Sequence, residues 1–247
     1  MIKQIPNIIT SLNLLCGCVA IILAVSGDLV SACFFAFAGI FLDFFDGFAA
    51  RLLNAQSQVG LQLDSLADVV TSGVVPAIVM MQLLSRAFTG TNLEISILFT
   101  DDLGATSWMV YMPFIGLLIA IASGYRLAKF NVDTRQTTSF IGLPVPANTL
   151  LILSLPLILN FQASQQIAEF ILGPWFLIIL TFLSCVLLNA ELPLFALKFK
   201  TWNFKDNAVR YVFLIACILL LILLKFIAIP ICIFLYILVS LFWKPSL

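Results

Sequence analysis

Four aspartates, Asp43, Asp46, Asp64 and Asp68, stand in two apolar stretches of a chain that has no histidine. A Ser-His-Asp triad, a histidine general base and histidine metal ligands are therefore excluded. Acid–base or metal chemistry falls to the twelve Asp and Glu residues. A carboxylate at mid-membrane costs about 2.5–3.5 kcal/mol on insertion scales, so four of them close together need a cause. Helical spacing gathers them. Asp43, Asp46, Gly47, Ala50 and Arg51 fall at i, i+3, i+4, i+7 and i+8, and Gly60, Asp64 and Asp68 at i, i+4 and i+8, each set on one helix face. Converging carboxylates repel one another unless cations sit between them. Oxygen donors without imidazole or thiolate favour Mg²⁺ or Mn²⁺, with Ca²⁺ compatible. Two ions about 3.5–4 Å apart would suit four aspartates and a diphosphate substrate. Arg51 alone cannot pair with four acids. Gly47 and Gly60 remove side chains on the same faces, where a bulky ligand could approach the backbone.

The elements that must position these residues are membrane helices. The 247 residues are 62% hydrophobic and only 10% charged, too few charges to cover a water-facing surface. Apolar runs recur from end to end, so the expectation is an all-α integral membrane protein with one polytopic domain over 1–247. Eight candidate spans read at 7–25, 30–52, 60–84, 108–130, 145–159, 171–188, 209–224 and 227–242. The last two are separated only by a turn near Lys225. Polar Asn7, Thr10, Ser11 and Asn13 interrupt the first run where a signal core would sit, so it is expected to be a retained span. With both ends inside, ten of the twelve Lys and Arg residues fall on the inner side: Lys3, Arg51, Arg126, Lys129, Arg135, Lys198, Lys200, Lys205, Arg210 and Lys244. Arg86 and Lys225 fall outside, as do Asp101 and Asp102. Positive residues face the cytoplasm, so the four aspartates are expected towards the cytoplasmic ends of their helices. The six cysteines lie in apolar runs and read as small membrane hydrophobes. The short polar turn with Asn54, Gln56, Ser57 and Gln58 makes the second and third helices antiparallel, so their acidic faces can meet.

Asp43, Asp46, Gly47, Ala50, Arg51, Gly60, Asp64 and Asp68 spell D-x2-D-G-x2-A-R-x8-G-x3-D-x3-D. This pattern resembles the signature of the CDP-alcohol phosphatidyltransferase family. The resemblance implies a six-helix membrane core, here with about two additional C-terminal helices within 171–242, and a homodimer. It implies a divalent-metal site formed by Asp43, Asp46, Asp64 and Asp68, with Asp68 as general base. It also implies that Asp46, Gly47, Ala50, Arg51 and Gly60 hold the CDP moiety of CDP-diacylglycerol. Four stretches look like the bacterial phosphatidylserine synthases: PNIITSLNLLCG at 6–17, LDSLADVVTSGVVPA at 63–77, YRLAKFNV at 125–132 and FIGLPVPAN at 140–148. Together they span 6–148, the family-matching catalytic portion. The implied acceptor is L-serine, and the implied location is a bacterial inner membrane with the site facing the cytoplasm.

The remaining polar residues carry open assignments. Asn7, Thr10 and Asn13 either face the nucleotide or cap and solvate the first helix. A serine carboxylate wants a cation, and Arg126 is preferred over Lys129, with Asn131 and Asn148 as further candidates. Ser65, Thr71 and Ser72 either support the site or bond locally to helix carbonyls. Two other functions stay open. A sibling transferase would use glycerol 3-phosphate, inositol phosphate or choline. A cation or proton transporter would also use intramembrane aspartates, but the second half of the chain holds no repeat of the cluster.

Overall fold

A computed structural model describes residues 4–94, 107–132, 140–194 and 204–242. Lys3, Asp101, Asp102, Arg135, Lys198, Lys200 and Lys244, which enter the charge argument above, lie outside the described residues. The described chain is built of helices: α1 (Ile5–Val25), α2 (Leu29–Leu52), α3 (Gln58–Thr89), α4 (Trp108–Val132), α5 (Val145–Phe161), α6 (Gln165–Ile171), α7 (Pro174–Asn189), α8 (Phe204–Leu224) and α9 (Ala228–Phe242). Two-residue strands, Phe140–Ile141 and Pro193–Leu194, pair antiparallel and join the entrance of α5 to the exit of α7.

Among the described residues, counted by length and apolarity, five helical runs can cross a membrane, and six if the bent α6–α7 pair is one span. This is a multi-pass membrane architecture, with fewer full-length straight spans than the eight apolar runs suggest. Three physical facts account for the difference. At 17 residues, α5 rises only about 26 Å, short of a hydrocarbon core about 30 Å thick. The α6–α7 pair bends by 53° where Gly173 and Pro174 interrupt it. The helical run 207–242 folds back on itself: Lys225 has a left-handed φ of +48°, and the Phe213 and Tyr236 rings lie 6.0 Å apart across the turn. A straight helix would separate those two rings by about 34 Å, so α8 and α9 form a hairpin.

Small residues set the central packing. The buried face of α1 is Pro6, Thr10, Asn13, Gly17, Ala20 and Ala24, spaced alternately by four and three. It meets Ala32, Cys33, Ala36 and Gly39 of α2. Lipid tails are as apolar as leucine, so close backbone approach, not burial from water, drives this contact. The opposite faces carry the bulk: Ile8, Leu15 and Ile22 on α1, and Phe34, Phe41, Phe44 and Phe48 on α2, are exposed.

Helix α3 is the axle of the fold. Its 32 residues extend about 48 Å, longer than a hydrocarbon core about 30 Å thick, and its first turns carry polar Gln58 and Gln62. Ser57 caps it, its Oγ accepting from the Gly60 N–H at 3.0 Å. Directly after Asp68 the helix widens into a π-helical turn, Val69–Val74. Pro76 has no N–H to offer the Ser72 carbonyl four residues earlier. Thr149 of α5 supplies the bond instead, its hydroxyl donating to the Ser72 carbonyl at 2.6 Å. The turn swells into space that glycines leave open. A Cβ at Gly17 would come within 2.5 Å of Thr71 Oγ1, and one at Gly39 within 2.7 Å of Thr71 Cγ2. At the other end of α3, Gln82 holds the Val25 and Leu93 carbonyls and the Leu93 N–H, while Arg86 donates to Asn92 Oδ1 and the Gly27 carbonyl. Arg86 therefore sits on the α1–α2 turn, at the opposite end of the bundle from the aspartates.

Candidate active site

The antiparallel crossing of α2 and α3 brings the acidic faces together. Asp43, Asp46 and Asp64 each offer a carboxylate oxygen within 4.8 Å of the other two. Asp68 lies one turn deeper on α3, beside Asp43 and next to the Asn13 carboxamide of α1. It stands outside the tight group of three. Asp46 is buried, and the Thr10 hydroxyl donates to its Oδ2 at 2.6 Å. Three converging carboxylates, one already oriented by a hydroxyl, form the hard, anionic donor set that a divalent cation requires, so these residues fit such an ion.

A cavity of about 690 Å³ opens beside the acids. Asn7, Thr10, Asp46, Gly47, Ala50, Arg51 and Gly60 all line it, together with Asp43 and Asp64. That volume lies within the range of small-ligand sites. A Cβ at Gly47 would meet nothing within 4 Å, so its face is open to a ligand. Gly60 differs: a Cβ there would come within 3.0 Å of Asn7 Oδ1, so it serves the contact of α1 with α3. Arg51 is exposed at the rim, its Nε donating to the Gly47 carbonyl at 3.0 Å. Asn13 lines no part of this cavity. It is fully buried, its carboxamide next to Asp68, and among the described residues neither polar atom of its side chain makes a hydrogen bond of good geometry.

A second polar region surrounds the π-helical turn. Among the described residues, Asn13, Ser123, Arg126 and Asn148 supply six of the eight buried side-chain polar atoms without a hydrogen-bond partner. Two contacts fix their level. Ser123 faces Gly73, whose added Cβ would sit 3.2 Å from Ser123 Cβ, and Asn131 Nδ2 donates to Ser65 Oγ at 2.9 Å. In the antiparallel register these contacts define, Arg126 is level with Val70, about 3 Å of rise from Asp68. Asn148 precedes Thr149, which bonds to Ser72 in the same turn. Arg126 is buried, with one 3.5 Å bond from Nη2 to the Gly142 carbonyl and Nε unpartnered. Among the described residues no carboxylate pairs with this guanidinium, and a buried guanidinium left so is costly in a membrane and suited to an incoming anion.

The other two acceptor candidates lie elsewhere. Lys129 is at the surface, its Nζ 3.5 Å from Glu191 Oε1. Asn131 is exposed and ties the end of α4 to α3. Ser65 bonds locally to the Leu61 carbonyl, whereas Thr71 bonds across helices to the Asn13 carbonyl at 3.2 Å. Sequence reasoning passed over Ser123 and Thr149. Their only signal was a hydroxyl in an apolar run, which is common in membrane helices.

A model of the CDP-alcohol phosphatidyltransferase family matches residues 3–186, and the chain belongs to that family. Members of the family are membrane-bound enzymes that generally depend on divalent metal. The chain is 40% identical over 149 residues to the CDP-diacylglycerol–serine O-phosphatidyltransferase of Bacillus subtilis (strain 168), covering 58% of this chain and 70% of that protein. It is 34% identical over 149 residues to the protein of the same name from Helicobacter pylori (strain J99), covering 60% and 54%. It is 28% identical over 144 residues to the archaetidylserine synthase of Methanothermobacter thermautotrophicus, covering 58% and 53%. The aligned region thus spans just over half the length of the last two relatives.

Proposed function

We propose that this protein transfers the phosphatidyl group of CDP-diacylglycerol to the hydroxyl of L-serine, giving phosphatidylserine and CMP. The observation that carries this reading is the meeting of Asp43, Asp46 and Asp64 at the edge of a cavity open on the Gly47 face. The serine acceptor rests on the relatives, each of which is named for a serine product or substrate.

In this reading the cavity holds the CDP head, with Asn7, Thr10, Ala50, Arg51 and Gly60 around it and the acyl chains in the bilayer. Divalent ions, two Mg²⁺ or Mn²⁺, held by the aspartates would neutralise charge on the diphosphate. Serine occupies the polar chamber at the π-helical turn. Its carboxylate pairs with Arg126, and Asn148, Ser123 and Asn13 offer donors and acceptors to its ammonium and hydroxyl. Asp68, between the chamber and the other acids, accepts the hydroxyl proton. The seryl oxygen forms its bond to the phosphorus that bears diacylglycerol. The bond from that phosphorus to CMP breaks, and CMP leaves with the electron pair. Placement of the two substrates on either side of Asp68 supplies much of the rate, because nearby cations make this carboxylate a weak base.

The site faces the cytoplasm of a bacterial inner membrane in this account, since Arg51, Arg126 and Lys129 share its end of the bundle while Arg86 marks the other. A homodimer, as in the family, completes the proposal. The test is CMP release by purified protein with serine, glycerol 3-phosphate, inositol phosphate and choline, each with and without Mg²⁺ or Mn²⁺. Metal-dependent release with serine alone is expected. Release with a different acceptor reassigns the substrate, and absence of release with all four rejects transferase chemistry.

A further inference from the structure

The α8–α9 hairpin lies beyond residue 186, where the family match ends. Most of it is exposed; in its most apolar window only 6% of residues are buried. One stripe of α9 is an exception: Ile233, Tyr236 and Ser240 are buried at helical spacing. Tyr236 packs with Leu143, Leu194 and Ile233, and its ring meets Phe213 of α8. Leu143 follows Gly142, whose carbonyl receives the one hydrogen bond that Arg126 makes among the described residues. The phenol of Tyr236 is within electrostatic reach of the Arg126 guanidinium. Gly142 is itself fixed, with a φ of +76°, its N–H on the Leu192 carbonyl, and no room for a Cβ, which would sit 2.7 Å from the Leu188 carbonyl.

From this arrangement we infer that the hairpin is the outer wall of the acceptor chamber and that Tyr236 is a positioning residue for Arg126. The inference rests on the reading that Arg126 receives the acceptor carboxylate. A buried guanidinium on a flexible stem needs a second support to hold its fork towards a ligand. A phenol gives that support without a negative charge, so the cation stays available for an incoming carboxylate. An Asp or Glu at this place would pair with Arg126 and compete with the substrate. The hairpin thereby acts on acceptor choice, discriminating an amino acid from its decarboxylated amine.

The test uses the full-length protein in detergent with CDP-diacylglycerol and either serine or ethanolamine. Tyr236→Phe keeps the ring and its packing and removes only the hydroxyl. It is expected to raise the KM for serine about 3- to 10-fold, because the guanidinium loses a polar neighbour while the ring packing stays. The KM for CDP-diacylglycerol should stay unchanged, and kcat at saturating serine should fall by less than about two-fold. The preference for serine over ethanolamine should fall by the same factor as kcat/KM for serine. A merely structural tyrosine would lower both acceptors together, and that result overturns the inference. Arg126→Ala is the companion. If it raises the serine KM and Tyr236→Phe does not, the chamber stands and the role of the hairpin fails. If Arg126→Ala leaves the serine KM unchanged, the assignment of Arg126 itself fails and the role of Tyr236 with it.

Discussion

Thr10→Val tests how the acids are held. Valine matches threonine in shape and removes only the hydroxyl that donates to Asp46 Oδ2 at 2.6 Å. Asp46 is 4% exposed, so water cannot replace the lost donor without rearrangement. A hydrogen bond to a charged group contributes about 1.5–3 kcal/mol. Loss of a partner that orients a metal ligand typically costs 10- to 100-fold in metal affinity or activity. Thr10→Val should therefore shift the Mn²⁺ concentration for half-maximal CMP release upward by about 10- to 100-fold. Thr10→Ser, which keeps the hydroxyl, should restore most of it. The KM for serine should not move, because Thr10 lies on the cavity side of Asp68. The assay is CMP release titrated with Mn²⁺, paired with direct Mn²⁺ binding to the purified protein. Wild-type Mn²⁺ dependence in Thr10→Val, by both measurements, would refute the coupling of this hydroxyl to the acidic site.

Further outcomes follow from the same geometry. Asp68→Asn should nearly abolish turnover in membranes that retain the protein, and near-normal activity removes Asp68 as the base. Thr149→Val strips the Ser72 carbonyl of its donor and should lower stability by about 1–3 kcal/mol, read by denaturant unfolding in micelles; an unchanged midpoint would contradict that role. The two glycines of α2 should part company. Gly39→Ala drives a methyl to within 2.7 Å of Thr71 and should destabilise by about 1–3 kcal/mol. Gly47→Ala meets only open space, so it should unfold like wild type while raising the KM for CDP-diacylglycerol. Equal behaviour of the two variants would sink the distinction.

The parts of this molecule legible in its sequence are those set by local periodicity. Spacing along α2 and α3 shows which residues share a face, so the approach of Asp43 and Asp46 to Asp64 could be read before any fold was in hand. Apolar runs marked the long helices for the same reason, whereas the short α6, Gln165–Ile171, fell between two of them. The π-helical turn after Asp68 was not legible, because it depends on Gly17 and Gly39 from two other helices making room and on Thr149 from a third supplying a donor. The hairpin turn at Lys225 was visible as a break, but its consequence was not. Only the fold brings Tyr236 within electrostatic reach of Arg126, 110 positions away. The chamber at the π-helical turn had the weakest signal. Asn13, Ser123 and Asn148 are ordinary polar residues in membrane helices until their burial and lack of partners are known.

The account stands on the aspartates acting as one divalent-metal site. The most direct measurement is Mn²⁺ binding to purified protein, by electron paramagnetic resonance, in wild type and in Asp46→Asn and Asp64→Asn. The account predicts saturable binding in wild type, strengthened by CDP-diacylglycerol, and loss of that binding in either variant from a protein that unfolds normally. Full Mn²⁺ binding in both variants, or none in an active wild-type enzyme, would contradict it.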